Sequence, residues 1–394
     1  MKPQRRRPVR LAMLALAMQV AWGCRLAGPH PTPSSLDPLP PAIAPFTSTS
    51  TPASRSLAAS PSPPLPATWT PNATPTEQLT SDEHSATTAI AVTLSSLDKA
   101  DDYPLYVMRY HGPYTLTASS AATVRWVTGR PSAPTWACSL FAALGDEQHR
   151  LYGRNFDWRY SPALLLFTDP PDGYASVSMV DIAYLVDLSK VHELTDLPLE
   201  ERAVLLETPF WPFDGMNEHG LVVGMAAVPE SEMPHDPRKT TIDSLLVIRE
   251  MLDHARDVGE AVAILEGYNV AWGGGPPLHY LIADRAGQAT LVEFYDGEMV
   301  LIRSRSASSW HLATNHLRAA VHDVGSGGCW RYEAIHRRLA SAKGSLSVTP
   351  AMDLLADVAQ ENTQWSVVYD LGSGAVHVVL GRAYEEAHLF LLSD

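Results

Sequence analysis

The side chains with the clearest chemical potential lie on the two sides of one predicted turn. Cys138 opens a mainly apolar run, and Arg154 and Asp157 follow in the segment Gly-Arg-Asn-Phe-Asp-Trp at 153–158. A turn near 145–148 would bring the second run back antiparallel to the first, with the guanidinium and the carboxylate beside the thiol. A nearby cation lowers the pKa of a thiol, which is otherwise mostly protonated at neutral pH. The spacing therefore indicates an activated nucleophile, although a lone cysteine is more often a small buried apolar residue and no general base is apparent.

Other common catalytic patterns are not present in the sequence. It has no Gly-x-Ser-x-Gly nucleophile motif, no phosphate-binding loop ending in Gly-Lys-Ser/Thr, and no His-Glu-x-x-His zinc motif. Its 15 histidines show no metal-ligand spacing. We therefore expect neither a metal ion nor a cofactor.

Four ordered motifs begin with this cysteine. They are Cys138 with the 153–158 segment, Asp-Gly-Met-Asn-Glu-His-Gly-Leu at 214–221, Thr314-Asn315, and Trp-Arg-Tyr at 330–332. In type and order they resemble segments of the N-terminal-nucleophile (Ntn) amide hydrolases of the choloylglycine hydrolase and penicillin V acylase type. In that family the four segments are the nucleophile segment, a turn and strand, the oxyanion-hole segment and the active-site arginine segment. Acyl-CoA:6-aminopenicillanic acid acyltransferase, N-acylethanolamine acid amidase and acid ceramidase are related to it.

The resemblance implies that the nucleophile becomes the first residue of a processed chain. Here that requires cleavage between Ala137 and Cys138. The freed α-amino group, with an ordinary pKa of about 7.7–8.0, would be the general base. Asp157 would hold that amine, and Arg154 would polarise the thiol. Attack on an amide carbonyl would give a thioester, which water then hydrolyses.

Two further residues are assigned by the same resemblance. Asn315 would donate a hydrogen bond to the oxyanion. Arg331 would be a cation behind the site or on its substrate side. The alternative for Arg331 is a plain surface cation on a helix.

Two features depart from the family pattern. Choloylglycine hydrolases have a second oxyanion asparagine shortly after the 214–221 motif, and the corresponding position here is Ala227. A backbone N–H would have to substitute, so bile-salt or penicillin specificity is less expected. In addition, a leading segment precedes Cys138, as in the precursor-processed amidases. We expect its strands to contribute to the sheet and to keep it bound after cleavage.

Several residues near the motifs are candidates for the substrate pocket. An apolar acyl pocket would use the aromatic residues Trp158, Phe210, Trp211 and Phe213. Aromatic side chains more often belong to a core, so both interpretations stay open for each. Asn217 is a further candidate, although a turn residue that supports the site is the favoured interpretation.

The residue pattern predicts short strands in blocks, with helices between the blocks. The predicted strands are Leu105–Tyr110, Ala122–Val127, Cys138–Leu144, Leu164–Thr168, Gly220–Val228, His279–Ala283, Ala289–Tyr295, Met299–Ile302, Trp365–Asp370, Val376–Leu380 and His388–Leu392. The predicted helices are Thr241–Ala255, a helix to about Glu266 that Asp257 caps together with Glu260, Trp330–Leu339, and Pro350–Ala359 with Thr349 as its N-cap. This order favours an α+β fold of antiparallel sheets with helices outside. The resemblance implies, more specifically, the Ntn-hydrolase four-layer αββα sandwich of two antiparallel sheets.

The N-terminus predicts export from the cytoplasm. Residues 1–24 combine a basic start with a short apolar stretch, which is typical of a signal peptide. Ala-Trp-Gly-Cys at 21–24 resembles a bacterial lipobox, so we expect Cys24 to carry a lipid anchor; the alternative is an ordinary signal peptide cut nearby. The expected location is the bacterial cell surface or the periplasm, with the lipid anchor as the only membrane contact.

Composition divides the remainder of the chain. Residues 25–92 are rich in Pro, Ser and Thr and poor in large apolar side chains, which predicts an extended linker. Residues 93–394 are expected to form the Ntn-hydrolase domain. Its parts would be the leading segment, 93–137, and the mature catalytic chain, 138–394.

Charge limits the expected partners. The chain has 43 acidic and 29 basic residues, a formal net charge of −14, which argues against a nucleic-acid partner. The expected partner is a small acyl-amide substrate, and the sequence leaves the oligomeric state, the acyl group and the amine open. Two alternatives to amide hydrolysis remain: acyl transfer from the same thioester to an amine, and a non-catalytic surface binding domain, which Ala227 makes conceivable.

Overall fold

A computed structural model of the chain describes five stretches: 87–114, 137–229, 231–304, 309–320 and 328–393. The predicted signal peptide with Cys24, the linker up to residue 86 and the predicted strand Ala122–Val127 lie outside these stretches. The predicted extended linker is wrong over residues 87–92, which belong to a helix (87–95), because no proline interrupts the chain there.

The strands of the described stretches form two large sheets and one small pair. The strands are β1 (Asp98–Asp101), β2 (Leu105–Tyr110), β3 (Ala137–Ala143), β4 (Leu151–Asp157), β5 (Ala163–Thr168), β6 (Ser176–Asp181), β7 (Pro212–Asn217), β8 (Val222–Ala227), β9 (Thr240–Asp243), β10 (Tyr268–Ala271), β11 (Leu278–Ala283), β12 (Ala289–Tyr295), β13 (Glu298–Arg303), β14 (Trp310–Ala313), β15 (Thr363–Asp370), β16 (Ala375–Leu380) and β17 (His388–Leu391). A nine-stranded sheet has the order β1-β2-β5-β6-β7-β8-β11-β12-β13, and a six-stranded sheet has the order β14-β3-β4-β15-β16-β17. Neighbours within both sheets are antiparallel except β2 and β5.

The α-helices of the described stretches are α1 (87–95), α2 (Leu199–Arg202), α3 (Leu246–His254), α4 (Val258–Gly267), α5 (Trp330–Ser341) and α6 (Val348–Asp357). The last four cover the outer faces of the two sheets. Helix α3 packs on β7 and β8, and α4 on β11, whereas α5 packs on β3 and β14, and α6 on β4 and β15. Strand β3 faces β8 and β11 across the middle of the molecule. The predicted α+β four-layer αββα sandwich of two sheets is therefore confirmed. No helix of the described stretches is long and apolar enough to cross a membrane.

Strand β3 is apolar except for Ser139, and both of its faces are covered. Cys138, Leu140 and Ala142 belong to the core between the two sheets, whereas Phe141 and Ala143 belong to the core beneath α5 and α6. A strand buried on both faces reads as a continuous apolar run instead of an alternating one. This position places the predicted nucleophile at the interface of the two sheets.

Two of the predicted helices begin at other residues. The predicted helix Thr241–Ala255 is wrong over its first part, since β9 (Thr240–Asp243) pairs in parallel with β10 and the helix starts only at Leu246. β-Branched residues such as those at 240–242 favour strands. The predicted cap Thr349 is also wrong, because α6 begins at Val348 after Ser347. The predicted cap Asp257 is confirmed, since its carboxylate accepts the N–H of Glu260 at 2.9 Å.

The described part of the leading segment, residues 93–114, contributes two strands to the sheet. Strands β1 and β2 form one edge of the nine-stranded sheet, and Leu105 and Met108 are fully buried. The Tyr103 hydroxyl donates to Gln364 Oε1 at 2.8 Å, and His388 Nε2 lies 2.7 Å from Asp101 Oδ2. The segment therefore contacts the final strands of the chain through both core packing and polar groups.

Candidate active site

Strands β3 and β4 bring the first motif together. They pair antiparallel with Ala137 opposite Asp157, Cys138 opposite Phe156, and Leu140 opposite Arg154. The turn predicted near 145–148 thus forms. On the other side of β3, β14 ends at Ala313, so the Thr314-Asn315 motif emerges next to the start of β3.

Cys138 is fully buried in the uncleaved chain. Its Sγ lies 3.8 Å from Arg154 Nη2. Burial raises the pKa of the Cys138 thiol above its ordinary value, and Arg154 opposes this effect only in part. The predicted cation is therefore present, but in this state it does not make the thiol ionise easily.

Arg154 is buried together with a counter-ion that the sequence analysis had not assigned. Its Nη1 donates to the Asp214 carboxylate and to the carbonyl of Phe213, the latter at 2.9 Å. Asp214 also accepts a hydrogen bond from the Tyr369 hydroxyl. Asp214 is the first residue of the 214–221 motif, so this motif is the sequence feature from which its role in the site could have been predicted. The pair holds the guanidinium at the thiol and neutralises its charge away from solvent.

Asp157 lies at the end of β4, and one of its two carboxylate oxygens accepts a hydrogen bond. Oδ1 accepts a hydrogen bond from the Thr363 hydroxyl at 2.5 Å, whereas Oδ2 has no hydrogen-bond partner among the described residues and lies 3.9 Å from Arg331 Nη1. Burial raises the pKa of Asp157 to about 7, against the opposing effects of Arg331, Thr363 and Arg154. An unused, buried carboxylate oxygen beside Cys138 is suited to receive an amine.

We expect Asp157 to make stability depend on pH. Folding raises its pKa from 3.8 to about 7, so the folded chain holds this proton more tightly than the unfolded chain does. The resulting stability is complete below the unfolded pKa and is lost as the pH rises through the folded pKa. In uncleaved Cys138→Ala protein, Asp157→Asn should therefore reduce the fall in the free energy of unfolding between about pH 4 and 8. Urea unfolding at several pH values measures this, and identical slopes in the two proteins would contradict it.

Asn315 is bonded to the peptide group that processing would cleave. Its Oδ1 accepts the N–H of Cys138 at 2.7 Å and also a hydrogen bond from Arg331 Nη2 at 3.0 Å. Its Nδ2 donates to the carbonyl of Ala227 at 2.8 Å. The predicted oxyanion donor is therefore next to the predicted nucleophile, and one of its two amide N–H groups donates to Ala227 in the uncleaved chain.

Arg331 lies in the first turn of α5 and is fully buried, so the surface-cation alternative is wrong. Its Nη1 donates to the carbonyl of Cys138 at 2.5 Å and to Ser139 Oγ at 2.9 Å. Asn315 and Arg331 thus hold the N–H and the C=O of the same residue, Cys138. The five residues predicted as catalytic all meet at this point of the fold.

Two of the predicted pocket aromatics, Trp211 and Phe213, form an aromatic row with the half-buried Tyr184. Tyr184 stacks between Trp211 and Phe213, at centroid distances of 5.8 and 6.1 Å. Phe213 then contacts Phe156, the residue opposite Cys138, at 5.3 Å. Phe213 therefore reaches the predicted site through Phe156 and through its own carbonyl, which accepts a hydrogen bond from Arg154.

The other pocket candidates have further partners. Phe210 packs edge-on against Tyr114 at 6.2 Å, and buried Trp158 has the Arg159 guanidinium 5.2 Å from its ring. Asn217 uses its amide for the β7–β8 turn: Nδ2 donates to the carbonyls of Leu252 and Ala255, and Oδ1 accepts two backbone N–H groups. These bonds agree with the favoured interpretation of Asn217 as a turn residue.

The described residues contain no group of three or more His, Cys, Asp and Glu that could hold a metal ion. Cys138 and Cys329 are both buried and outside any disulfide. The chemistry that this arrangement offers is therefore that of a buried thiol, two arginines, a carboxylate and an amide.

Comparisons with known proteins agree with the motif resemblance. Residues 210–382, somewhat less than half of the chain, match the family described as acyl-coenzyme A:6-aminopenicillanic acid acyl-transferase. This match confirms the resemblance predicted from the motifs. A comparison with curated proteins finds no match.

Similar solved structures include three amide hydrolases. Penicillin V acylase from Agrobacterium tumefaciens is 18% identical with a TM-score of 0.42, over 62% of this chain and 83% of that one. A variant of the conjugated bile acid hydrolase from Clostridium perfringens is 15% identical with a TM-score of 0.46, over 65% and 92%. The Caenorhabditis elegans ortholog of N-acylethanolamine-hydrolyzing acid amidase is 11% identical with a TM-score of 0.40, over 60% and 93%. The fold class stands on the two-sheet topology described above.

Proposed function

We propose that this chain is a self-processing thiol hydrolase of linear amide C–N bonds. The observation that carries the proposal is the clamp on Cys138, whose N–H is bound by Asn315 and whose C=O is bound by Arg331. A clamp of this kind fixes the nucleophile and the adjacent peptide bond in one orientation, which is the main requirement of an intramolecular attack. The unused oxygen of Asp157 lies beside the same residue.

The proposed first reaction is the cleavage of the bond between Ala137 and Cys138. Sγ of Cys138 attacks the carbonyl carbon of Ala137, the bond to the Cys138 nitrogen breaks, and the thiol proton passes to that nitrogen. Asp157 is suited to carry this proton because its pKa is about 7. Water then hydrolyses the thioester, which leaves the Ala137 carboxylate and frees the thiol and the α-amino group.

In the proposed mature enzyme the new α-amino group is the general base. Asp157 Oδ2 would accept a hydrogen bond from it, and Arg154 would hold the thiolate. Sγ would attack the substrate amide carbon, the amine would leave with a proton from the α-ammonium group, and water would hydrolyse the thioester. Asn315 would exchange its bond with Ala227 for one to the oxyanion, an interaction typically worth about 3–4 kcal/mol.

A second candidate is acyl transfer from the same thioester to an amine. The match to a family described as an acyl-transferase favours it. Incubation with an acyl-amide substrate and increasing concentrations of a second amine separates the two. A new amide that forms at the expense of the free acid indicates transfer, and unchanged acid release indicates hydrolysis.

The N-terminal features complete the proposal. The basic and apolar character of residues 1–24 and the Cys24 motif support export and lipid anchoring outside the cytoplasm. Globomycin-sensitive processing, together with a mass increase on the fragment that begins at Cys24, would test the anchor. A soluble fragment that begins after Cys24 would contradict it.

The experiment that tests the function is intact mass measurement with N-terminal sequencing of the purified full chain, followed by an amide screen. The screen covers bile conjugates, penicillins, acylated homoserine lactones, fatty amides and peptide-like amides. A fragment that begins Cys-Ser-Leu-Phe-Ala and releases amine from at least one class is the expected result. A chain that stays continuous through Ala137 and Cys138 and hydrolyses none of them would favour the binding-domain alternative.

We also predict that the leading segment stays bound after this cleavage. Strands β1 and β2 are hydrogen-bonded into the nine-stranded sheet, and β2 buries Leu105, Tyr106 and Met108. The processed protein should therefore elute as one species on native size exclusion and separate into two fragments only under denaturing conditions. Native elution of the 138–394 fragment alone would contradict this prediction.

A further inference from the structure

A buried pair outside the motifs connects the nine-stranded sheet to the loop that carries Asn315. His279 on β11 and Glu293 on β12 are both fully buried. The Nδ1 atom of His279 lies 3.1 Å from Glu293 Oε1, so the imidazole donates to the carboxylate. Neither residue belongs to the constellation on which the proposed function rests.

The Glu293 carboxylate is occupied by the loop after β14. Oε1 accepts the N–H of Arg318 at 2.9 Å, and Oε2 accepts the N–H of Ala319 at 2.7 Å. Burial alone would raise the pKa of Glu293, but His279 and these two N–H groups outweigh it and hold the pKa below its ordinary value. The carboxylate therefore remains an acceptor for three donors, two of which lie on the loop.

A hydrogen bond and a ring contact connect the same loop to the helix that carries Arg331. Arg318 donates from Nη1 to the hydroxyl of Tyr332 and lies over its ring, with 4.9 Å between the guanidinium carbon and the ring centroid. Tyr332 follows Arg331 directly in α5. The bonds to Arg318 and Ala319 therefore hold a segment that starts three residues after Asn315. This segment is connected to Asn315 through the chain and to Arg331 through Tyr332.

We propose that His279 and Glu293 are positioning residues, which hold the 314–319 loop so that Asn315 stays aligned with Cys138. This inference rests on the proposed function only for its effect on catalysis. Its structural part, the anchoring of the loop, is independent of any reaction. Misplacement of a catalytic group by about 1 Å can lower a rate by about 100-fold, so a small shift of the loop has a large consequence.

The structural part is tested by hydrogen exchange on uncleaved Cys138→Ala protein. Glu293→Gln introduces an amide donor where only acceptors fit, so we expect exchange of the Arg318 and Ala319 amides to become at least about tenfold faster. Glu298→Gln, the same change at an exposed position on the neighbouring strand, is the matched control and should leave these amides unchanged. Equal exchange in the Glu293→Gln and parent proteins would overturn the inference, whether or not the chain processes itself.

The catalytic part is tested on the wild-type background. His279→Ala and Glu293→Gln should lower kcat for amide hydrolysis by about tenfold or more, with KM changed less than about threefold, because the substrate contacts remain. His279→Asn keeps a side-chain N–H near the position of Nδ1 and should restore most of kcat, which a mere loss of packing would not allow. Wild-type activity in Glu293→Gln would overturn the inference.

A wild-type protein that neither processes itself nor hydrolyses an amide would instead refute the proposed function. The hydrogen-exchange result would still decide whether His279 and Glu293 anchor the loop.

Discussion

Replacement of Cys138 by alanine is expected to give one uncleaved polypeptide without amidase activity. In the proposed mechanism the thiol both attacks the Ala137 carbonyl and later forms the thioester with the substrate, so its loss should stop both reactions. Loss of a catalytic nucleophile commonly lowers kcat by about 10⁴-fold or more. Intact mass and amine release measure the two effects on the same sample. A processed and active Cys138→Ala protein would refute the proposed mechanism.

Two variants distinguish the chemical role of Cys138 from its role as a buried, packed side chain. Cys138→Ser keeps a weaker nucleophile in the same space and should process more slowly than the wild type, though to the same bond. Cys329→Ser changes a second buried thiol of the described residues, keeps an acceptor for the Thr314 hydroxyl, and should keep both processing and hydrolysis. Equal losses in Cys138→Ser and Cys329→Ser would indicate a packing effect instead of a chemical one.

Asp214→Asn is expected to be strongly destabilising as well as inactivating. The change leaves the Arg154 guanidinium without its counter-ion in a site where both side chains are fully buried. Removal of one partner from a buried ion pair typically costs about 3–5 kcal/mol in the free energy of unfolding. It also releases Arg154 from the position that brings Nη2 to the thiol. Urea unfolding in the Cys138→Ala background measures the stability, and processing of the Asp214→Asn chain measures the function.

The controls for this prediction use a surface pair and a double replacement. Glu201→Gln removes the half-exposed partner of Lys190 and should change the free energy of unfolding by less than about 1 kcal/mol. Arg154→Met combined with Asp214→Leu removes both charges, so it should recover part of the stability while remaining inactive. An Asp214→Asn protein within about 1 kcal/mol of its parent would contradict the prediction.

The local parts of the site could be predicted from the sequence. Cys138, Arg154 and Asp157 lie on two strands joined by a short turn, so their spacing alone indicated that they meet. Asn315 and Arg331 are far from them in the chain and were placed by family resemblance. The Asp257 cap is also a local feature, and it forms. The start of the helix predicted at Thr241 failed because β10, which lies about 30 residues later, pairs with that segment.

The sequence by itself determined which chemical groups are available and in what order they follow. Only the tertiary structure decided their state. It buried Arg331 and turned it to the Cys138 carbonyl, engaged Asn315 with Ala227, and gave Arg154 its counter-ion Asp214. It also raised the pKa values of Cys138 and Asp157. These properties arise because two sheets and a helix pack around one site and exclude water from it. Desolvation depends on all of the surrounding elements together, and no local pattern of residues specifies it.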